Sequence, residues 1–120
     1  MGRMSRTKGK VGERELSALL REHGFEDARR TAQYCGKTGD ASDVVGLPNI
    51  HIECKRVEKL NIYDAVEQAQ RDSIAKIETG MDDVLPIVAH RKNRKPWLVT
   101  MLLDDWMRLY KSSEYKEEEE

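Results

Sequence analysis

Three acidic residues and a lysine stand at spacings that could do chemistry. Glu53 and Lys55 lie in the run Ile50-His51-Ile52-Glu53-Cys54-Lys55, where apolar and polar residues alternate. That period of two is a strand signature. It sets Glu53 and Lys55 on one face and Ile50, Ile52 and Cys54 on the other. Asp43 opens a second short apolar segment, residues 43–47, and Pro48-Asn49 between the two reads as a turn. If the segments pair across that turn, Asp43 and Glu53 converge. Carboxylates that close repel one another, and a divalent cation relieves the repulsion. Oxygen ligands without Cys or His favour Mg2+ or Mn2+ over zinc. A lysine alongside can stabilise developing negative charge or orient an attacking water. Such a set is the minimum equipment for phosphodiester hydrolysis.

A third carboxylate belongs with these two. In residues 11–23, Leu16, Leu19 and Leu20 fall at helical spacing, and Gly24 supplies a stop. At about 100° per residue, Glu13 lies roughly 60° from the mean direction of those leucines, at the border of the buried stripe. Glu15 lies roughly 95° away, nearer the solvent side.

The elements that would position these residues follow in order. Residues 1–10 read as a flexible basic arm, 11–111 as a single domain, and 112–120 as a disordered acidic tail. Inside the domain, residues 28–34 suggest a short strand and 35–42 a Gly-containing loop, followed by the strands at 43–47 and 50–55. A helix is expected over 62–77, then a hairpin of strands at 84–90 and 97–102 joined by the polar turn 91–95, then a helix at 103–111. The expected class is α/β, a mixed sheet flanked by helices.

Composition narrows the setting. The 120 residues carry 21 Lys/Arg and 22 Asp/Glu, a net charge of −1, yet the last four residues are all glutamate. Without Glu117 to Glu120 the body is mildly basic. Arg3, Arg6, Lys8 and Lys10 cluster in the arm, Arg29 and Arg30 on the first strand, and Arg91, Lys92, Arg94 and Lys95 on the hairpin tip. Clusters of this kind neutralise backbone phosphates and bind nucleic acid with salt sensitivity and little sequence preference. The near-neutral total therefore does not argue against a DNA partner. Cys35 and Cys54 are far apart and the histidines His23, His51 and His90 are scattered, so neither a disulfide framework nor a zinc site is expected. With no apolar run of membrane length and no secretion signal, the expectation is a cytoplasmic chain without a membrane partner. Trp97 and Trp106 sit among apolar neighbours and are expected to anchor the core.

The run Lys8-Gly9-x-x-x-Glu13-Arg14, then Ser42-Asp43, then Glu53-Cys54-Lys55 resembles the PD-(D/E)xK nuclease superfamily. It is most similar to archaeal-type Holliday-junction resolvases and small phage or prophage nucleases of that kind. Ser42 stands where the superfamily pattern has proline. The resemblance implies a restriction-endonuclease-like core, αβββαβ, and Mg2+ (or Mn2+) bound by Glu13, Asp43, Glu53 and the Cys54 carbonyl. It implies Lys55 as the catalytic lysine, phosphate contact by Arg14 and the basic clusters, junction DNA as substrate, and a homodimer working in the cytoplasm of a bacterial or phage-infected cell. It also implies a glutamine on the second helix that reaches the site. Periodicity favours Gln70, on the side of Ile62, Val66, Ala69 and Ile77, whereas similarity to a Q-A-x-R-D pattern favours Gln68.

Overall fold

A computed structural model describes residues 2–31, 43–78 and 84–115, with side chains at 9–31, 43–74 and 84–115. The element order is α1 (Gly2–Glu22), β1 (Arg29–Arg30), β2 (Val44–Val45), β3 (Ile50–Arg56), α2 (Ile62–Glu78), β4 (Leu85–Arg91), β5 (Leu98–Thr100) and α3 (Leu103–Ser112). The five strands form one sheet in the order β1-β2-β3-β4-β5. Three neighbouring pairs are antiparallel, and β3 and β4 run parallel. A parallel pair needs a crossover, and α2 supplies it. This is the expected mixed α/β architecture.

Opposite faces of β3 meet opposite helices. Leu16 and Leu20 of α1 pack on Val44, Ile52, Cys54 and Ala89, with Ile50, Ile87 and Trp97 at the margin. On the other face Ala65 and Ala69 of α2 pack on Val88, joined by Leu60, Ile62 and Val66. Because helices cover both faces, the polar side of β3 is interior too: His51 is 0% and Glu53 1% exposed. Strand alternation correctly separates the two sets, but neither faces solvent.

Two glycines make the close approaches possible. A Cβ on Gly12 would lie 2.7 Å from Arg56 Cβ, so its absence lets α1 settle against the end of β3. Gly46 has a φ of +110° and its Cα hydrogens face the Ala28 backbone, where a Cβ would come within 2.5 Å of Ala28 Cα. The turn between β2 and β3 closes with the Ile50 N–H donating to the Leu47 carbonyl, and Asn49 takes a left-handed φ of 65°.

Several boundaries differ from the sequence-based expectation. Helix α1 begins at Gly2 instead of residue 11; no proline interrupts residues 2–10, although Gly2 and Gly9 lower the helix propensity of that stretch. Trp97 is half-buried as expected, whereas Trp106 is 48% exposed and no residue of α3 is buried. Its apolar stripe lies on a helix that follows the edge strand β5, outside the packing of α1 and α2 on the two faces of the sheet. Cys35, Ser42 and Glu117 to Glu120 lie outside the described residues.

Candidate active site

The centre forms where β2 runs out beside β3. The Asp43 N–H donates to the Ile52 carbonyl, which starts the pairing of the two strands. Two residues further along the same edge of β3, the Cys54 N–H donates to Asp43 Oδ2 over 2.8 Å. In extended backbone the N–H and C=O of one residue point to the same side, so the Cys54 carbonyl lies on that edge as well. Asp43 is thereby turned toward Glu53, and the two side chains interact directly.

The electrostatics of this centre are those of crowded acids. Burial pushes the Glu53 carboxyl up to about 10, reinforced by the charge of Asp43 and by hydrogen bonds with Asp72 and Asp43. Burial also raises Glu13, and Asp43 raises it further, while Arg30 opposes the shift through a hydrogen bond from its Nε to Glu13 Oε1 of 3.1 Å. Burial, followed by the charges of Asp43, Glu13 and Glu15, holds the Cys54 thiol neutral. The Asp43 charge thus acts on both Glu13 and Glu53. Three acids from α1, the start of β2 and β3 share one field.

The α2 side of β3 adds partners that sequence reasoning passed over. His51 Nε2 lies 2.9 Å from Glu53 Oε1. Possible ligand atoms of His51, Glu53 and Asp72 all lie within 4.8 Å of one another. His51, which the sequence reading grouped with the scattered histidines, thus adjoins the acidic centre. The missed signal was the strand period itself, since His51 shares a face with Glu53 and Lys55. Asp72 sits four residues after Gln68, on the same stripe of α2.

Of the two candidate glutamines, Gln68 is the one that meets Lys55. The Lys55 Nζ donates to Gln68 Oε1 over 3.2 Å. The backbone carbonyl of Gln70 instead accepts from the Ser73 hydroxyl. Lys55 and Gln68 line an open groove with Lys59, Asn61, Asp64 and Arg71. A second cleft, lined by His90, Arg91, Lys92 and Lys95, shares Val57 and Leu60 with it. The groove at Lys55 and the basic hairpin tip are therefore contiguous. Lys59 and Arg71 are further cations along it that charge clustering in the sequence did not single out.

The remaining basic residues divide into two groups. Arg14, Arg29 and Arg30 line a small pocket with Ser17 and Arg21 on the Glu13 side. Lys92, Arg94 and Lys95 are exposed at the turn, and Lys10 is exposed on α1. Arg91 is engaged inward, its Nη1 donating to Glu15 Oε1. Glu15 also accepts from Trp97 Nε1 at 2.9 Å and faces Arg56, so it is a half-buried hub and not a solvent-side residue. The β4–β5 hairpin folds back over α1, a contact between distant segments that the helical wheel does not contain. The side chains of Arg6 and Lys8 lie outside the described residues.

The donor set suits a divalent cation. The upward shifts of Glu13 and Glu53 register a crowding of acids that a bound cation would relieve. The carboxylates with the Cys54 carbonyl offer hard oxygen ligands, and His51 with Asp72 extends the set on the α2 side. Neither a curated protein nor a solved structure matches this chain. The sequence profile of archaeal Holliday junction resolvases matches residues 4–119, which include the whole centre. With its mixed sheet, its flanking helices and that match, the chain belongs to the archaeal Holliday junction resolvase family of the PD-(D/E)xK nucleases.

Proposed function

We propose that this chain is a Mg2+-dependent (or Mn2+-dependent) endonuclease that cuts four-way or otherwise branched DNA as a homodimer. One observation carries the reading: the Asp43 charge raises both Glu13 and Glu53 while Lys55 stands on the same strand in an open basic groove. Glu13, Asp43, Glu53 and the Cys54 carbonyl would hold the ion. When bound, a divalent cation there polarises a phosphoryl oxygen and lowers the pKa of a coordinated water.

The side chains supply the rest. Lys55, anchored at one of its protons by Gln68, directs its remaining charge at the scissile phosphate and stabilises the developing negative charge. Arg30 restrains Glu13, and the Cys54 N–H restrains Asp43, so both carboxylates are oriented before substrate arrives. Water attacks the phosphorus in line and the P–O3′ bond breaks, giving inversion and a 3′-hydroxyl product. Lys59, Arg71, Lys92 and Lys95 along the contiguous grooves, Arg94 at the hairpin turn, Arg14 and Arg29 on the other side and Arg6, Lys8 and Lys10 on α1 would bind backbone phosphates. Two-fold symmetry lets paired subunits place one site on each of two strands of a junction. Among the described residues no helix is long and apolar enough to cross a membrane, and we place the activity in the cytoplasm of a bacterial or phage-infected cell.

Cleavage of a synthetic four-way junction is to be compared with linear duplex, single-stranded and flap DNA, with and without Mg2+. Preferential, metal-dependent junction cutting that Asp43→Ala abolishes is the expected result. Absence of metal-dependent cutting on every substrate refutes the enzyme reading, and calorimetry with Mn2+ then separates a DNA-binding subunit without a metal site from an inactive but metal-loaded one.

A further inference from the structure

Two polar rows face each other between β3 and α2. His51, Glu53 and Lys55 succeed one another at every second residue of β3, and Gln68 and Asp72 lie about one turn apart on α2. Two residues of strand and four of helix both advance roughly 6 to 7 Å, so the rows keep step along their length. At one end Lys55 meets Gln68, and at the other Asp72 comes close to both His51 and Glu53. Lys55 and Gln68 line the open groove. His51 and Glu53 are fully buried, with His51 at the end of its row away from Lys55.

His51 Nε2 stands 2.9 Å from Glu53 Oε1. An ionised carboxylate only accepts hydrogen bonds, so once Glu53 serves as a ligand the proton of this bond lies on Nε2. The acids beside Glu53, Asp43 and Asp72, offer no donor in their ionised form. We infer that His51 is a positioning residue, whose Nε2–H fixes the direction of the Glu53 carboxylate so that it meets a divalent cation together with Asp43. Possible ligand atoms of His51, Glu53 and Asp72 are close enough to share an ion. A ring nitrogen that donates to a carboxylate, however, has no lone pair left for a metal, so His51 acts through Glu53 and not on the ion. Gln68 does for Lys55 what His51 does for Glu53, each from a different place on the same polar strip. The inference rests on the reading of this centre as a metal-dependent nuclease and deepens it. Its test is made first without DNA, so that the two can fail separately.

Mn2+ binding to the full chain is measured by calorimetry, with circular dichroism to confirm folding of each variant. A glutamine carries an N–H about as far from the backbone as imidazole Nε2, an asparagine carries one a methylene nearer, and a leucine carries none. His51→Gln should bind Mn2+ within about threefold of wild type, and His51→Asn and His51→Leu about tenfold or more weakly. In single-turnover junction cleavage, the Mg2+ concentration for half the maximal rate should rise by the same factor in His51→Asn. The rate at saturating Mg2+ should stay within about threefold of wild type. If His51→Leu does not fold, the glutamine and asparagine variants decide alone. A wild type that binds no Mn2+, or variants that all bind like wild type, overturns the inference. So does a His51→Gln as weak as His51→Asn, which would mark the imidazole as a ligand in its own right. Wild type that binds Mn2+ with the expected ranking and cuts no DNA leaves the inference standing and refutes the nuclease reading. Metal-dependent cutting by a wild type whose variants bind alike does the reverse.

Discussion

Glu13 and Glu15 stand two residues apart on α1, and their surroundings are opposite. Glu15 is met by Arg91, Arg56 and the Trp97 ring N–H, all donors. Glu13 has Arg30 on one side and the charge of Asp43 on the other, and its carboxyl is held above the usual range by burial and that charge. The first arrangement is compensated and joins α1 to the β4–β5 hairpin. The second is left short of positive charge, and the shortage continues through Asp43 to Glu53. Such uncompensated crowding is costly to the fold unless something outside the chain relieves it. The contrast separates a carboxylate that holds the structure from one that waits for a cation.

The largest expected effect tests the uncompensated side. Asp43→Ala should lower junction cleavage by about 10³-fold or more, the scale of losing a preorganised electrostatic group, while the thermal midpoint does not fall. Single-turnover cleavage together with calorimetric melting checks both halves. Lys55→Ala should cost about 10²-fold in rate with junction affinity little changed, since one phosphate-facing charge among many is lost; gel-shift titration beside single-turnover rates would show it. On the compensated side, Glu15→Gln should destabilise the fold by about 1–3 kcal/mol and leave the rate per folded molecule within about threefold. Urea denaturation measures the first, and a large loss of activity in well-folded Glu15→Gln would erase the distinction drawn here.

A smaller effect sharpens the α2 side of the centre. Gln68→Ala should slow cleavage about tenfold, on the scale of one hydrogen bond to a charged group, and Gln70→Ala should not. The smallest is a pH effect without metal. Burial and the neighbouring acids push the Glu53 carboxyl up to about 10 from an ordinary value of 4.5. Between those values the folded state keeps a proton that the unfolded chain has released, so stability falls as pH rises through that window. Glutamine cannot titrate. In EDTA, the melting temperature of wild type should therefore drop between pH 5 and pH 8 by at least about 4 °C more than that of Glu53→Gln. Parallel curves would show that Glu53 is not the strained member.

Much of this centre was legible along the chain. Alternation in residues 50–55 placed Glu53 and Lys55 together, the Pro48-Asn49 turn brought Asp43 back to β3, and helical spacing put Glu13 at the edge of the buried stripe. These are short-range patterns with fixed periods, and the backbone enforces them locally. What escaped was set by contacts distant in sequence. His51 was grouped with the other histidines although the strand period already set it beside Glu53; that Asp72 of α2 comes close to both is what only the packing shows. Glu15 was assigned to solvent because the hairpin that covers it returns from the far end of the domain. Trp106 was assigned to the core by its apolar neighbours in sequence, and the fold puts that stripe outside.

The amino-acid sequence by itself determined the order of elements, the mixed α/β class and the carboxylate–lysine set, because period and turn chemistry act within a few residues. Only the tertiary structure decided which glutamine meets Lys55 and which glutamate of α1 is paired. It also decided that the polar face of β3 lies beneath a second helix. Those outcomes depend on how helices seat against the sheet, and a Cβ at Gly12 would shift that seating.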